Sequence, residues 1–163
     1  MNAVRPVRLA RPQEADALVD LHLACWREAY ADLLTPERIE RPFADRAAAV
    51  AKRRRHLVDP SRATWVAEDD GGLVGFAVAG PARHHDAPTD LELHAIYARA
   101  AVWGAGVGRA LLVAAVGDRP AYLWVLDGNE RAIGFYRRQG FELDGATEVH
   151  PEGLHRRMVR PTR

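Results

Sequence analysis

The sequence predicts a single mixed α/β domain, with helices lying on the faces of one sheet. Apolar residues at helical spacing occur in several segments, and short β-type runs bounded by turn residues lie between them. The 163 residues have the length of one ordinary domain, and no repeat, low-complexity segment or long linker divides them. With 48% hydrophobic and 28% charged residues, the composition is that of a soluble globular protein.

The first third of the chain is predicted to be mainly helical. An imperfect alternation over residues 4–10 predicts a short strand. Pro12 then opens a helix, whose apolar positions recur at helical spacing as far as Trp26. A second helical region is expected over residues 35–57, with an interruption at Pro42 because proline cannot donate a helical hydrogen bond.

The middle of the chain has the pattern of a β-hairpin followed by a third strand. Residues 64–68 and 73–79 are the two expected strands, and Asp-Gly-Gly at 70–72 is the turn between them. Residues 80–90 contain two prolines and are expected to form a loop. Residues 91–98 are the next predicted strand.

The last third alternates between helices and strands. An apolar stripe begins at Val107 and predicts a helix that closes at Gly117. The fully apolar run 121–126 is a predicted central strand, and residues 130–139 follow as a helix. Residues 143–149 and 154–159 are expected to be a last pair of strands. This order predicts a mixed sheet with helices on its faces.

Charge and cysteine content narrow the function. The 23 basic and 22 acidic residues give a formal charge of +1, which argues against a nucleic-acid partner. The single cysteine, Cys25, excludes an internal disulfide and predicts a reducing compartment, so we expect a cytoplasmic protein. No apolar run has the length of a signal peptide or membrane helix, and no membrane association is expected.

The glycine-rich run Trp103-Gly104-Ala105-Gly106-Val107-Gly108-Arg109 lies between a predicted strand and a predicted helix. Glycines let the backbone approach a ligand, and the free N–H groups of a first helical turn favour an anion. A phosphate group is therefore the expected guest. A P-loop is excluded because its lysine and hydroxyl residue are missing. A dinucleotide fold fits less well, because Arg109 occupies the position of its third glycine.

Two motifs resemble a known family. The run from Ile96-Tyr97-Ala98 to Arg109-Ala110-Leu111-Leu112 is similar to the acetyl-CoA signature of the GNAT superfamily of N-acetyltransferases, Gln/Arg-x-x-Gly-x-Gly/Ala, with Trp103 in the Gln/Arg position. The segment Asn129-Glu130-Arg131-Ala132-Ile133-Gly134-Phe135-Tyr136-Arg137-Arg138-Gln139-Gly140-Phe141 resembles that family's Asn-x-x-Ala-x-x-Phe-Tyr-x-x-x-Gly-Phe segment. The resemblance covers essentially the whole chain.

The resemblance implies a GNAT fold over residues 4–163, a mostly antiparallel sheet of six to seven strands with about four helices, splayed where acetyl-CoA binds. It implies direct transfer of an acetyl group from acetyl-CoA to a primary amine of a small molecule or peptide. A domain of this fold that binds acyl-CoA without turnover is the alternative. The cofactor-binding residues that it implies are Ile96, Tyr97, Ala98, Trp103, Gly104, Ala105, Gly106, Val107, Gly108, Arg109, Asn129, Ala132 and Phe135.

Catalytic roles follow from the same resemblance. Glu92, eleven residues before Trp103, is the expected general base, with a pKa raised by apolar strand neighbours. The alternative is a carboxylate that only orders water or an amine. His94 is the runner-up for that role and a candidate substrate-binding residue, although a structural role is the favoured interpretation of this histidine. Tyr136 resembles the tyrosine that protonates the leaving thiolate. Trp26 and Tyr30 are expected either to line the acceptor pocket or to belong to the apolar core, since aromatic residues at helical spacing fit both.

Two further expectations concern metals and partners. His84, His85 and Asp86 are consecutive, which is poor geometry for ligands of one ion, so no metal is expected. Dimers are common among the proteins that the chain resembles, which makes a homodimer one expectation. The segments that would select the acceptor amine, residues 80–90 and the early helices, have no fixed pattern, and the acceptor is left undetermined.

Overall fold

The computed structural model describes residues 3, 4 and 6–162. Its described helices are α1 (Ala15–Tyr30), α2 (Pro36–Glu40), α3 (Arg46–Val58), α4 (Val107–Val116) and α5 (Glu130–Arg138). Its described strands are β1 (Arg8–Leu9), β2 (Ala63–Asp69), β3 (Gly72–Pro81), β4 (Leu91–Ala98), β5 (Ala121–Leu126), β6 (Glu142–His150) and β7 (Gly153–Arg160). Short 3₁₀ turns occupy Pro12–Glu14, Arg41–Phe43 and Ala100–Val102.

The helix boundaries have local causes. The Thr35 and Asp45 side chains cap α2 and α3 by accepting hydrogen bonds from the backbone N–H groups of Arg38 and Ala48. The region expected as one interrupted helix is thus two helices, separated by the turn that contains Pro42. Since that proline cannot continue the α-helical ladder, the interruption was predicted correctly.

The described strands form one seven-stranded sheet in the order β1-β2-β3-β4-β5-β7-β6, and every neighbouring pair is antiparallel except β4 and β5. This confirms the predicted mixed, mostly antiparallel sheet. The first strand is shorter than the expected 4–10 and pairs only at Arg8 and Leu9. Pro6 has no N–H to donate to a ladder, and Arg5 lies outside the described residues.

Apolar clusters cover both faces of the sheet. On one face, Leu18, Leu21 and Cys25 of α1 pack against side chains of β2 and β3. On the other face, α4 and α5 bury a larger cluster that includes Leu111 and Ile133. Within the described residues, no helix combines the length and the apolar character that crossing a membrane requires.

Strand β4 changes face partway along its length. Leu93 pairs with Ala79 and Ala95 pairs with Val78, so His94 is an extra residue in β4. A bulge of this kind exchanges the two faces of a strand for all residues beyond it. Leu93 before the bulge contacts the α4 side of the sheet, and after it Ile96 does so instead.

The sheet opens between its two central strands. β4 and β5 register at one residue pair, Glu92 with Tyr122, whereas β5 continues to pair with β7 from Ala121 to Leu126. Beyond Glu92, the edge of β4 that faces β5 therefore carries backbone groups that no described strand pairs. The predicted splay is confirmed, and it places unpaired backbone beside the glycine-rich turn.

Candidate active site

A cavity of about 370 Å³ occupies the opening between β4 and β5. Its walls come from the second half of β4, the glycine-rich turn, β5 and one face of α5. The predicted site residues that line it are Tyr30, His94, Ile96, Tyr97, Ala98, Trp103, Gly104, Gly106, Gly108, Arg109, Asn129, Ala132, Phe135 and Tyr136. Residues far apart in sequence thus meet in one site.

The glycine-rich turn has the geometry of an anion cradle. Gly104 and Gly106 have φ angles of +77° and +84°, a region that glycine adopts without strain. A Cβ atom added at either position would meet no protein atom within 4 Å, so it would project into open space beside the cavity. Gly106 is the N-cap of α4, whose first-turn N–H groups have no partners within the helix. The turn therefore presents backbone donors and a positive helix end to a ligand.

The third glycine has a packing role. A Cβ atom at Gly108 would lie 3.3 Å from two ring carbons of Phe135. Only glycine lets α4 approach α5 this closely without displacing the ring. The two motifs of the sequence are thus in contact.

Trp103 connects β4 to α5 across the edge of the cavity. Its indole N–H donates to the carbonyl oxygen of Ala98 over 2.8 Å. On its ring lies the guanidinium of Arg131, with the carbon Cζ 3.7 Å from the ring centroid, a cation–π contact. Trp103, which occupies the Gln/Arg position of the motif, therefore links β4 to α5 through its side-chain contacts. Arg131 was not predicted as a site residue.

Three tyrosines, Tyr30, Tyr97 and Tyr136, belong to the cavity wall. The Tyr30 and Tyr97 hydroxyls lie 3.0 Å apart and share a hydrogen bond. Burial and the nearby Tyr97 raise the pKa of Tyr136, while the charge of Arg131 acts in the opposite direction. The Tyr136 phenol is thus a hydrogen-bond donor throughout the neutral range, as its predicted role requires.

Glu92 differs from its prediction. It is 1% exposed and is absent from the cavity wall. Arg83 donates to its carboxylate from the backbone N–H and the guanidinium, with a shortest distance of 2.7 Å, and the Tyr122 hydroxyl donates over 2.9 Å. Burial raises the Glu92 pKa, but the hydrogen bonds and charge of Arg83 outweigh it and the net pKa is lowered. The expected raised pKa is wrong, and so fully engaged a carboxylate is a poor base.

His94, unlike Glu92, lines the cavity and has a ring nitrogen without a hydrogen-bond partner among the described residues. Its side chain is 5% exposed, and its Nε2 lies 3.1 Å from the carbonyl oxygen of Pro81 and 3.8 Å from the Glu92 carboxylate. This contact favours Nε2 as the protonated nitrogen. Nδ1 is shielded from solvent and has no hydrogen-bond partner among the described residues. Burial and then the charge of Arg83 lower the His94 pKa, which keeps the imidazole neutral and its Nδ1 lone pair free.

Three other predicted residues do not reach the cavity. The Ala105 and Val107 side chains are absent from its wall, although their backbone belongs to the glycine turn. Trp26 packs edge-on against Tyr30 and Phe43, with centroids 5.2 and 5.5 Å apart, and supports the wall from behind. Its predicted contact with substrate is corrected to this supporting role. Asn129 lines the cavity and also caps α5 by accepting from the Ala132 N–H over 3.3 Å.

His155 is a wall residue that the sequence prediction missed. It lies on β7, pairs with Leu126 of β5, and is 8% exposed. The only feature of the sequence that could have indicated His155 is its position inside a predicted strand. A histidine there is as compatible with a satisfied core residue as with a site.

Comparisons with known proteins are consistent with this geometry. The model of the acetyltransferase (GNAT) family matches residues 15–141. An uncharacterised N-acetyltransferase of Mycobacterium tuberculosis is 32% identical over 150 residues, covering 87% of this chain and 91% of that protein. The peptidyl-lysine N-acetyltransferase YjaB of Escherichia coli is 33% identical over 96 residues, covering 58% of this chain and 59% of that protein.

A solved structure has the same fold. The PaiA N-acetyltransferase of Thermoplasma acidophilum, in complex with coenzyme A, superposes with a TM-score of 0.72 at 18% identity. The match covers 95% of this chain and 98% of that one.

Proposed function

Because the chain belongs to the GNAT acetyltransferase family and is thus an acyltransferase, we propose that it transfers an acetyl group from acetyl-CoA to a primary amine by direct attack. The observation that supports this most is the pair formed by the splayed strands and the glycine cradle. The cradle suits the cofactor's pyrophosphate, and the unpaired edge of β4 suits its amide-containing arm. Coenzyme A in the Thermoplasma protein, which has the same fold, adds support.

The cofactor contacts divide into backbone and side-chain groups. N–H groups from Gly104 to Arg109 would hold the phosphates, with Ala105 and Val107 contributing through their backbone. Ile96, Tyr97 and Ala98 would pair with the arm through β4, and one of their N–H groups would face the thioester oxygen. Asn129, Ala132 and Phe135 line the opposite wall on α5. When bound, acetyl-CoA supplies an activated acyl group on a thiol leaving group.

The proton acceptor in this proposal is His94, whose Nε2 is hydrogen-bonded to the carbonyl oxygen of Pro81. As the amine nitrogen bonds to the acyl carbon, the His94 ring turns so that its buried Nδ1 faces the cavity, and Nδ1 takes the proton that the nitrogen loses. The Tyr136 hydroxyl donates a hydrogen bond to the departing sulfur. Because the pKa of Tyr136 is raised, this phenol keeps its own proton. His94 releases the proton of the amine to solvent, and the departing thiolate takes up a proton from solvent to become the free thiol.

Tyr30 and His94 would contact the acceptor, whose identity the family leaves open. The Escherichia coli relative acts on peptidyl-lysine, so lysine side chains are one acceptor class to test, beside small amines. We extend the domain over residues 4–163, because β1 and β7 outside the matched range belong to the same sheet; Arg5 and Arg163 lie outside the described residues. We retain a cytoplasmic location and a homodimer as proposals.

Thermal unfolding tests the cofactor. Acetyl-CoA should raise the melting temperature and NAD should leave it unchanged, because ligands that bind only the folded state stabilise it. A shift with NAD alone would favour the dinucleotide alternative. A shift with acetyl-CoA but no turnover would favour a sensor module.

A further inference from the structure

The turn between β6 and β7 brings together three side chains that can bind a metal ion. His150, Glu152 and His155 each offer one ligand atom, and these atoms all lie within 4.8 Å of one another. The two imidazoles are stacked, with centroids 4.2 Å apart and planes at 21°, so the His150 ring has to turn before both in-plane lone pairs point at one ion. His150 pairs with Gly153 across the hairpin, so the ligands come from a two-residue turn and its flanks.

The His155 ring is oriented as a metal ligand requires. Its Nδ1 lies 3.1 Å from the carbonyl oxygen of Gly153, which favours Nδ1 as the protonated nitrogen and Nε2 as the one with a free lone pair. A backbone carbonyl behind a ligating histidine fixes the tautomer in this way in many metal sites. His155 is nearly buried, so its ring has little freedom to turn away.

His150 has a carboxylate behind it. Its Nε2 lies 3.2 Å from Glu148 Oε1, although that nitrogen is shielded from solvent and makes no well-aligned hydrogen bond with a described residue. The second oxygen of Glu148 lies 3.0 Å from His84 Nε2. A carboxylate in this outer position orients a ligating imidazole and raises its basicity.

Nearby cations do not compete for these ligands. Arg156 faces Asp127 at 3.7 Å, and Arg157 is bound to Asp144 at 2.7 Å. Glu152 makes no described ion pair with an arginine or lysine and is half-buried at the turn. Its carboxylate is free to turn toward the two imidazoles.

We propose that His150, Glu152 and His155 form a binding site for one Zn²⁺ ion that braces the β6–β7 turn beside the cavity. Two imidazoles and one carboxylate are a ligand set typical of zinc. Ligands around tetrahedral zinc stand about 3.3 Å apart, so the side chains of His150 and Glu152 close inward by about 1–2 Å. This departs from the sequence expectation of no metal, which considered only the run of residues 84–86.

Isothermal titration of the tag-free, chelator-treated protein with Zn²⁺ tests this proposal. We expect one ion per chain and a loss of affinity of at least about tenfold in His150→Ala and in Glu152→Gln. Glu148→Gln should weaken binding by about tenfold, as an outer-shell change does. His85→Ala, an exposed histidine outside the cluster, is the matched control and should bind like the wild type.

A second measurement separates ligand loss from misfolding. Co²⁺ in place of Zn²⁺ should give intense visible bands of tetrahedral coordination in the wild type and in His85→Ala. Glu152→Gln should lose this signature while keeping the far-ultraviolet circular dichroism of the wild type. Absence of saturable binding, or equal binding by all variants through an adventitious ion, would overturn the proposal.

Discussion

The Tyr122 hydroxyl donates a hydrogen bond to the Glu92 carboxylate over 2.9 Å, at the single residue pair that registers β4 against β5. The two strands diverge beyond this point, so the contact fixes the apex of the opening. Arg83, from the loop after β3, donates to the same carboxylate. A buried carboxylate, paired with a half-exposed arginine, thus stands where the cavity begins.

Stability should depend on this carboxylate. We expect Glu92→Gln to lower the free energy of unfolding by about 1–3 kcal/mol, because buried donors lose a charged acceptor. The Arg83 side chain is 48% exposed and can turn to water, so we expect a loss of unfolding free energy near the lower end of this range. Urea denaturation measures the loss. Glu142→Gln, at an ion pair with a 74% exposed carboxylate, is the control and should change stability little.

The same carboxylate predicts a pH dependence. Its folded-state pKa is lowered, so its contribution to stability is present above the ordinary carboxyl range and is lost as the pH falls through the folded pKa. The stability difference between wild type and Glu92→Gln should therefore shrink on acidification from about pH 7 to about pH 3. A difference that stays constant over this range would contradict the lowered pKa.

Turnover should depend on His94. We expect His94→Ala to reduce kcat by about 10²–10⁴-fold, the usual contribution of a general base, with little change in acetyl-CoA affinity. Steady-state kinetics and titration calorimetry measure the two quantities. In the wild type, the acid limb of the kcat profile should lie below the ordinary histidine range, because the His94 pKa is lowered. Wild-type kcat in His94→Ala would refute the role, and His85→Ala controls for loss of an imidazole.

Tyr136 should affect the leaving group alone. Tyr136→Phe keeps the ring that contacts Phe135 and Phe141 and removes only the hydroxyl. We expect kcat to fall by about 10²-fold, with the Kd for acetyl-CoA nearly unchanged. An acetyl donor with a more acidic thiol should recover part of the rate. Equal rates for variant and wild type would remove Tyr136 from the mechanism.

The glycine cradle allows a matched comparison of two valine variants. Gly106→Val should abolish acetyl-CoA binding, because its side chain would fill the cradle at a φ of +84°. Gly145→Val places the same side chain at a φ of +92°, also in open space, but on β6 away from the cavity. Both variants carry similar backbone strain, so only the first should lose binding. Tight binding by Gly106→Val would show that the cradle holds no phosphate.

Much of the fold follows from local patterns. The hairpin of β2 and β3, the glycine turn before α4 and the helix opened by Asn129 depend on residues close in sequence, and all three were predicted. The bulge at His94 was not, because it arises from the register between β4 and β3. Its effect is to exchange the faces of β4 at His94, the residue that we propose as the proton acceptor.

The Glu92 error has a similar origin. Apolar neighbours in the strand predicted a raised pKa, whereas the decisive partner, Arg83, belongs to a loop with no regular pattern. His155 and Arg131 were missed because they reach the cavity only through the packing of β7 on β5 and of α5 on the glycine turn. The pKa of Glu92 and the positions of His155 and Arg131 depend on contacts between distant segments, which the spacing of residues within a motif cannot predict.

Release of free thiol from acetyl-CoA, measured with a panel of small amines and lysine peptides, tests the central claim most directly. We expect release that depends on an added amine, that is absent in Gly106→Val and that persists in Gly145→Val. Acetyl-CoA binding without thiol release for any amine in the panel would contradict acetyl transfer and leave a binding module of the same fold.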